Sequence, residues 1–129
     1  MKIEEVLREK KNLLTGSGAT EESINEAEKE LALTFSEEYR TYLSIFGIAA
    51  YGGHELTGLT NSARVNVVAV TKEQRENKSD IPGDFYVVEE TNVDEIVVWQ
   101  SSGGEIYAMS SNGTLEKIGD SLSEYVERY

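Results

Sequence analysis

The pair Gly52-Gly53 divides this chain into two unlike halves, and the division limits the folds open to it. Ahead of the pair lie helical patterns; behind it lie short β-branched and aromatic runs with one helical interruption. In the first half Ile3, Val6 and Leu7, with the stretch from Lys10 to Leu14, place apolar positions three or four apart, and Gly16-Ser17-Gly18 ends that helix. Thr20 is set to cap a second helix, with Glu21 and Glu22 against its positive end and Ile24, Ala27 and Leu31 on one face. Residues 33–35 form an extended link to Ser36, the cap of a third helix. There Tyr39, Tyr42, Leu43 and Phe46 make a core-facing stripe, and Gly47 is the natural stop.

In the second half, residues 55–59 and 65–70 read as strands, and Thr71 as the cap of a brief helix running to Asn77. Pro82-Gly83 marks a turn into a strand at 85–89, and 96–100 is β-branched and aromatic enough to be central. Residues 101–104 turn the chain into 105–110, and Asn112-Gly113 fits a two-residue type I′ hairpin leading to 114–118. Ser121 caps a last helix whose inward face carries Leu122, Tyr125 and Val126. The order predicts the α+β class. The expected architecture is a largely antiparallel sheet of about five or six strands, packed with N-terminal helices, one inserted short helix and a C-terminal helix. With 129 residues, no internal repeat and no linker, one domain spanning 1–129 is expected.

Charge narrows the partners. The formal net charge is −12, and no Lys or Arg occurs between Lys78 and Lys117, an interval holding Asp80, Asp84, Glu89, Glu90, Asp94, Glu95, Glu105 and Glu116. Such a surface repels phosphate backbones, so nucleic acid is not an expected partner. It favours a basic protein, for instance an enzyme that itself handles nucleic acid, unless the acidity serves solubility alone. The absence of cysteine excludes disulfides and thiolate metal sites. The charged opening Met1-Lys2-Ile3-Glu4-Glu5 has no apolar core of a signal peptide, and no run is long enough to span a bilayer. A soluble, cytoplasmic protein is the expectation.

No constellation names a chemistry. His54 is the only histidine, and nearby sequence offers it only carboxylates, of which Glu55 is the first. A loop fixed by His54, with Gly52, Gly53 and Gly58 permitting backbone turns, is favoured over catalysis or metal binding. Gly16-Ser17-Gly18 lacks the Lys-Ser/Thr ending of a phosphate loop, and Glu21 and Glu22 would repel phosphate. Glu89, Glu90, Asp94 and Glu95 flank Thr91-Asn92-Val93 without the alternating ligands of a calcium loop. No catalytic residue, metal or cofactor is assigned.

The segments Ile24-Asn25-Glu26-Ala27-Glu28-Lys29-Glu30-Leu31, Tyr39 to Phe46 and Gly53-His54-Glu55-Leu56-Thr57-Gly58-Leu59 follow one another in an order that resembles the SUKH superfamily of SMI1/KNR4-like proteins. Val67-Val68-Ala69-Val70-Thr71-Lys72-Glu73-Gln74-Arg75-Glu76 is similar to the family's strand-then-helix segment. Gly103-Gly104-Glu105-Ile106-Tyr107 and Ser121-Leu122-Ser123-Glu124-Tyr125-Val126 are similar to its closing strand and helix. The likeness runs from about Ile24 to Tyr125. It departs at Leu31-Ala32, where Leu-Gly is common, at Thr34-Phe35-Ser36, where Leu-Pro is common, and at Leu122, which replaces a frequent Phe.

The resemblance implies an α+β fold and a non-catalytic, protein-binding role, most often the neutralising of a toxin, many of them nucleases, encoded beside it. A regulatory adaptor or scaffold, the role proposed for fungal relatives, is the alternative. A deep polar pocket around His54 and Glu55 would instead revive a small-molecule or enzymatic reading. For toxin binding the candidate contacts are the carboxylates Asp80, Asp84, Glu89, Glu90, Asp94 and Glu95 with the aromatic anchors Trp99 and Tyr107, although Trp99 in a strand is more often core. Gly52, Gly53, His54, Glu55 and Gly58 are then the structural motif loop.

Overall fold

The structure, a computed structural model, describes residues 1–77 and 80–129. Its helices are α1 (Ile3–Arg8), α2 (Glu21–Leu31), α3 (Glu37–Phe46), α4 (Val67–Asn77) and α5 (Leu122–Arg128). A short antiparallel sheet contains β1 (Leu14–Thr15), β2 (Ala49–Tyr51) and β3 (His54–Glu55) in that order. A larger one contains β4 (Tyr86–Glu90), β5 (Val97–Gln100), β6 (Ile106–Met109) and β7 (Leu115–Gly119), also antiparallel and in sequence order. The α+β class holds, but the strands divide into sheets of three and four instead of forming one. The two sheets are stitched where Leu56 bridges Glu89 and the Thr57 amide donates to the Val88 carbonyl at 2.9 Å.

The caps act as the sequence demands. Thr20, Ser36 and Ser121 each accept from a backbone amide three residues on, at 3.1 Å, and open α2, α3 and α5. The start of α5 has a second anion: the Glu38 carboxylate accepts from the Leu122 and Ser123 amides, filling the positive end of that helix from α3. Inward faces match as well, with Ile24, Ala27, Leu31, Tyr39, Tyr42, Leu43, Phe46, Leu122, Tyr125 and Val126 all buried.

Three local expectations fail, each for a physical reason. Helix α1 stops at Arg8, and Leu14-Thr15 pairs with Ala49-Ala50. Residues 67–70 are helical, not extended: the Asn66 side-chain oxygen accepts from the Val68 and Ala69 amides at 3.0 and 3.2 Å, a cap that overrides the β preference of Val67, Val68 and Val70. Thr71 is therefore inside α4, where its hydroxyl oxygen accepts from the Val87 amide at 3.0 Å and ties the helix to β4. The β6–β7 turn is also not type I′, since only Gly113 has positive φ (88°). The Gly113 amide closes on the Ser110 carbonyl and the Ser110 amide on the Thr114 carbonyl, a three-residue loop ending in a left-handed glycine.

The larger sheet is buried on both faces, which blurs its alternation. Tyr86, Val88, Val98 and Ile106 join the main core with α1, α2, α3 and α5. Val87, Trp99 and Met109 form a second core with Phe85 and with Val70 of α4. Between Val87 and Glu89 the register with β5 slips, so Glu89 pairs with Val98 and turns toward the main core.

One residue is held against its preference. Ala32 ends α2 at φ 55°, ψ 46°, a left-handed conformation that disfavours any Cβ. Its side chain is exposed, so glycine forfeits no packing there. Ala32→Gly should raise the unfolding free energy by about 0.5–1 kcal/mol after allowing for glycine's freer unfolded chain, read as a higher urea midpoint at unchanged slope.

Candidate functional site

The motif segment is a hairpin followed by a buried strand-like crossing. Tyr51 and His54 are register partners, and the turn between them is Gly52 (φ 48°) and Gly53 (φ 83°), two successive left-handed residues open to solvent. Gly58 is needed for closeness, since a Cβ there would lie 2.0 Å from the Gly47 carbonyl oxygen. Between them Leu56 and Thr57 are buried. The Thr57 hydroxyl donates to the Val87 carbonyl at 2.8 Å, and its oxygen accepts from Tyr39 at 2.8 Å, while the Thr57 carbonyl accepts from Tyr42 at 2.7 Å.

His54 and Glu55 point to different partners. His54 Nδ1 lies 3.0 Å from Glu89 Oε2, and the Tyr125 hydroxyl donates to Glu89 Oε1. The His54 ring stacks on Tyr51 at 5.3 Å. Burial, and then the Glu89 carboxylate, pushes the phenols of Tyr51 and Tyr125 well above the ordinary tyrosine range. Glu55 makes a two-pronged ion pair with Arg64, at 2.9 and 2.7 Å, and that guanidinium holds its carboxyl below the usual carboxylate range. The pair is exposed, with side chains 68% (Arg64) and 46% (Glu55) open to solvent, so it orients more than it stabilises.

These residues enclose a cleft of about 140 Å³ lined by Gly53, Glu55, Thr57, Arg64, Val65, Glu89, Glu90 and Asn92. It lies where the motif hairpin meets the end of β4 and the loop to β5. Glu90 at its rim accepts from Gln74 of α4 at 2.7 Å. Asp94 (φ 51°) and Glu95 (φ 57°) follow in that loop, exposed beside Val93, itself 63% open.

The structure sorts the candidate contacts differently from the sequence. Glu89 is 3% exposed and Trp99 fully buried, so neither presents its side chain to a partner as expected. The register slip turns Glu89 inward, and Trp99 packs beneath α4 in the second core. Tyr107 is half-buried against Phe85, ring centres 4.8 Å apart. Asp80 and Asp84 are exposed but stand at the other end of the sheet, where Asp84 accepts from the Ser102 amide in the β5–β6 turn. Glu90, Asp94 and Glu95 remain at the cleft end. The start of the cation-free interval, at Ser79, lies outside the described residues. Sequence reasoning gave Arg64 no role, and it placed Asn92 in the acidic loop and Tyr125 on an inward helix face without assigning either to the site. Arg64 had a signal, being the one cation between Arg40 and Lys72.

Among the described residues no group of three or more His, Asp or Glu is arranged to hold a metal ion, and no helix is long and apolar enough to cross a membrane. A family profile described as SMI1-KNR4 cell-wall, of the SUKH group, matches residues 2–129. The chain belongs to that family. Its fold is shared with a crystal structure of a protein from Pseudomonas syringae pv. tomato, at TM-score 0.76 and 18% identity over 95% of this chain and 93% of that one. No curated protein matches significantly. Within this SUKH domain, Thr57 is the residue through which helix, hairpin and sheet meet. Thr57→Val keeps the shape but strands the buried Tyr39 hydroxyl and the Val87 carbonyl, and should cost about 2–3 kcal/mol in urea unfolding, part of it recovered by adding Tyr39→Phe.

Proposed function

We propose that this SUKH protein is a non-catalytic immunity protein that binds a basic toxin, most simply a nuclease, at the cleft end of its larger sheet and needs no cofactor. The observation that carries the reading is the meeting of the motif hairpin with the acidic end of β4: the exposed Glu90 lines the cleft beside the Glu55–Arg64 pair, with Asp94 and Glu95 exposed in the adjoining loop. An enzyme that grips nucleic acid carries Lys and Arg around its groove, and carboxylates on a rigid scaffold are the complement of that surface. Blocking the groove requires no chemistry from this chain, only shape and charge.

Family membership supports a protein-binding role of this kind. The net charge of −12 supports fast, salt-sensitive encounter. The partner to test is the product of the neighbouring toxin gene. Reversing Glu90, Asp94 and Glu95 to Lys should slow association about tenfold or more at low ionic strength, with the gap closing as salt rises. Reversing Asp80 and Asp84 changes the net charge without touching the cleft, and should slow it less. Equal slowing by the two sets, in stopped-flow or surface-binding kinetics, would move the interface away from the cleft; no binding at all by the native chain would remove the toxin reading.

A further inference from the structure

Glu89 is a carboxylate shut away from water, and more donors surround it than it engages. His54 Nδ1 and the Tyr125 hydroxyl are in contact with it. A third phenol, Tyr51, is 4% exposed, and its hydroxyl has no hydrogen-bond partner among the described residues. A buried donor left unpaired is costly, and a native fold that keeps one has a reason to do so. Tyr51 lies in the field of Glu89, whose charge pushes the phenol's proton affinity up after burial has done so. It is also the register partner of His54 on the β2–β3 hairpin, with the two rings stacked.

We propose that Glu89 has two alternative donors, His54 in the arrangement described and Tyr51 in a second one, and that a small slide of the Gly52-Gly53 hairpin exchanges them. The two rings are stacked on the hairpin and move together, so a slide that carries the imidazole past Glu89 brings the phenol toward it. His54 is the donor suited to leave, since its side chain is 28% exposed whereas Tyr51 is enclosed. The two Gly at the tip meet nothing within 4 Å of where a Cβ would stand, which leaves the turn room to shift. Exchange keeps the buried carboxylate supplied with a donor throughout, and it frees the chain's one histidine, whose neighbours Gly53 and Glu55 line the same cleft as Glu89. The device belongs to the free chain and stands whether or not the partner is a toxin.

A double-mutant cycle on the free protein tests it. If Tyr51 is a reserve donor, Tyr51→Phe alone should change the folding equilibrium constant by less than about threefold, because no bond is lost. In a His54→Ala background the same substitution should lower that constant by about tenfold or more, because Glu89 then has lost both. An effect of equal size in the two backgrounds, as expected if an ordered water satisfies Tyr51, overturns the proposal. Should His54→Ala fail to fold, amide exchange decides: Tyr51→Phe in the native background should slow exchange across residues 52–56 at least about threefold by removing the alternative arrangement, and unchanged exchange overturns it.

Discussion

The fold depends on a single residue whose every polar atom is spoken for. Thr57 gives its amide to Val88, gives its hydroxyl proton to Val87, and takes the hydroxyls of Tyr39 and Tyr42 on its side-chain oxygen and its carbonyl. Because the one Thr57 hydroxyl hydrogen goes to Val87, Tyr39 has to donate, so only one arrangement of protons satisfies the group. Burial sharpens that requirement, since Thr57 is 2% exposed and both tyrosines are fully enclosed. Helix α3, the crossing segment at Leu56-Thr57 and strand β4 therefore cannot shift independently. The cleft is built on these three elements and inherits their rigidity at its base, whereas its Gly52-Gly53 rim does not.

The start of β4 has a second polar joint of the same type. The Tyr86 hydroxyl donates to Gln100 at 2.7 Å, the Ser36 amide donates to that hydroxyl at 3.0 Å, and the Gln100 amide reaches Glu38 and the Gly104 carbonyl at 2.8 and 2.9 Å. Glu38 passes the chain of contacts to the start of α5. Around these polar groups Phe35, Tyr39 and Tyr86 pack at ring separations of 4.8 to 5.0 Å. An apolar core of the same size would tolerate sliding; donors and acceptors at fixed positions do not. Two such joints, one at Tyr86 and one at Val87 and Val88 beside it, set the register of β4 against the helices.

What could be read in the sequence was whatever repeats over several residues or acts through one cap. The stripe Tyr39, Tyr42, Leu43 and Phe46 spans about two helical turns, and Thr20, Ser36 and Ser121 cap as short polar side chains do. Strands of two or three residues, as in the smaller sheet, are too short to show a period. Val67-Val68-Ala69-Val70 misled because β preference is decided by context, and Asn66 with the packing of Val67 and Val70 supplied a helical one. At the site, the Gly-Gly turn and the acidic loop were visible. The inward turn of Glu89 was not, because one extra residue in a strand reverses the side chains beyond it without changing composition.

The same strand shows why an acidic stretch of sequence differs from an acidic patch. Asp84, before β4, and Glu90, at its end, are six residues apart, up to about 20 Å at roughly 3.3 Å per residue. The screening length at physiological salt is about 8 Å, so a bound partner at one end hardly senses the carboxylates at the other. At low ionic strength the screening length approaches 30 Å, and the whole charge of −12 acts together to draw a cation in. Steering and gripping thus fall to different sets of residues. The first is a property of composition and was open to inspection from the sequence, while the second requires the hairpin, the strand end and the loop to converge, which Thr57 brings about.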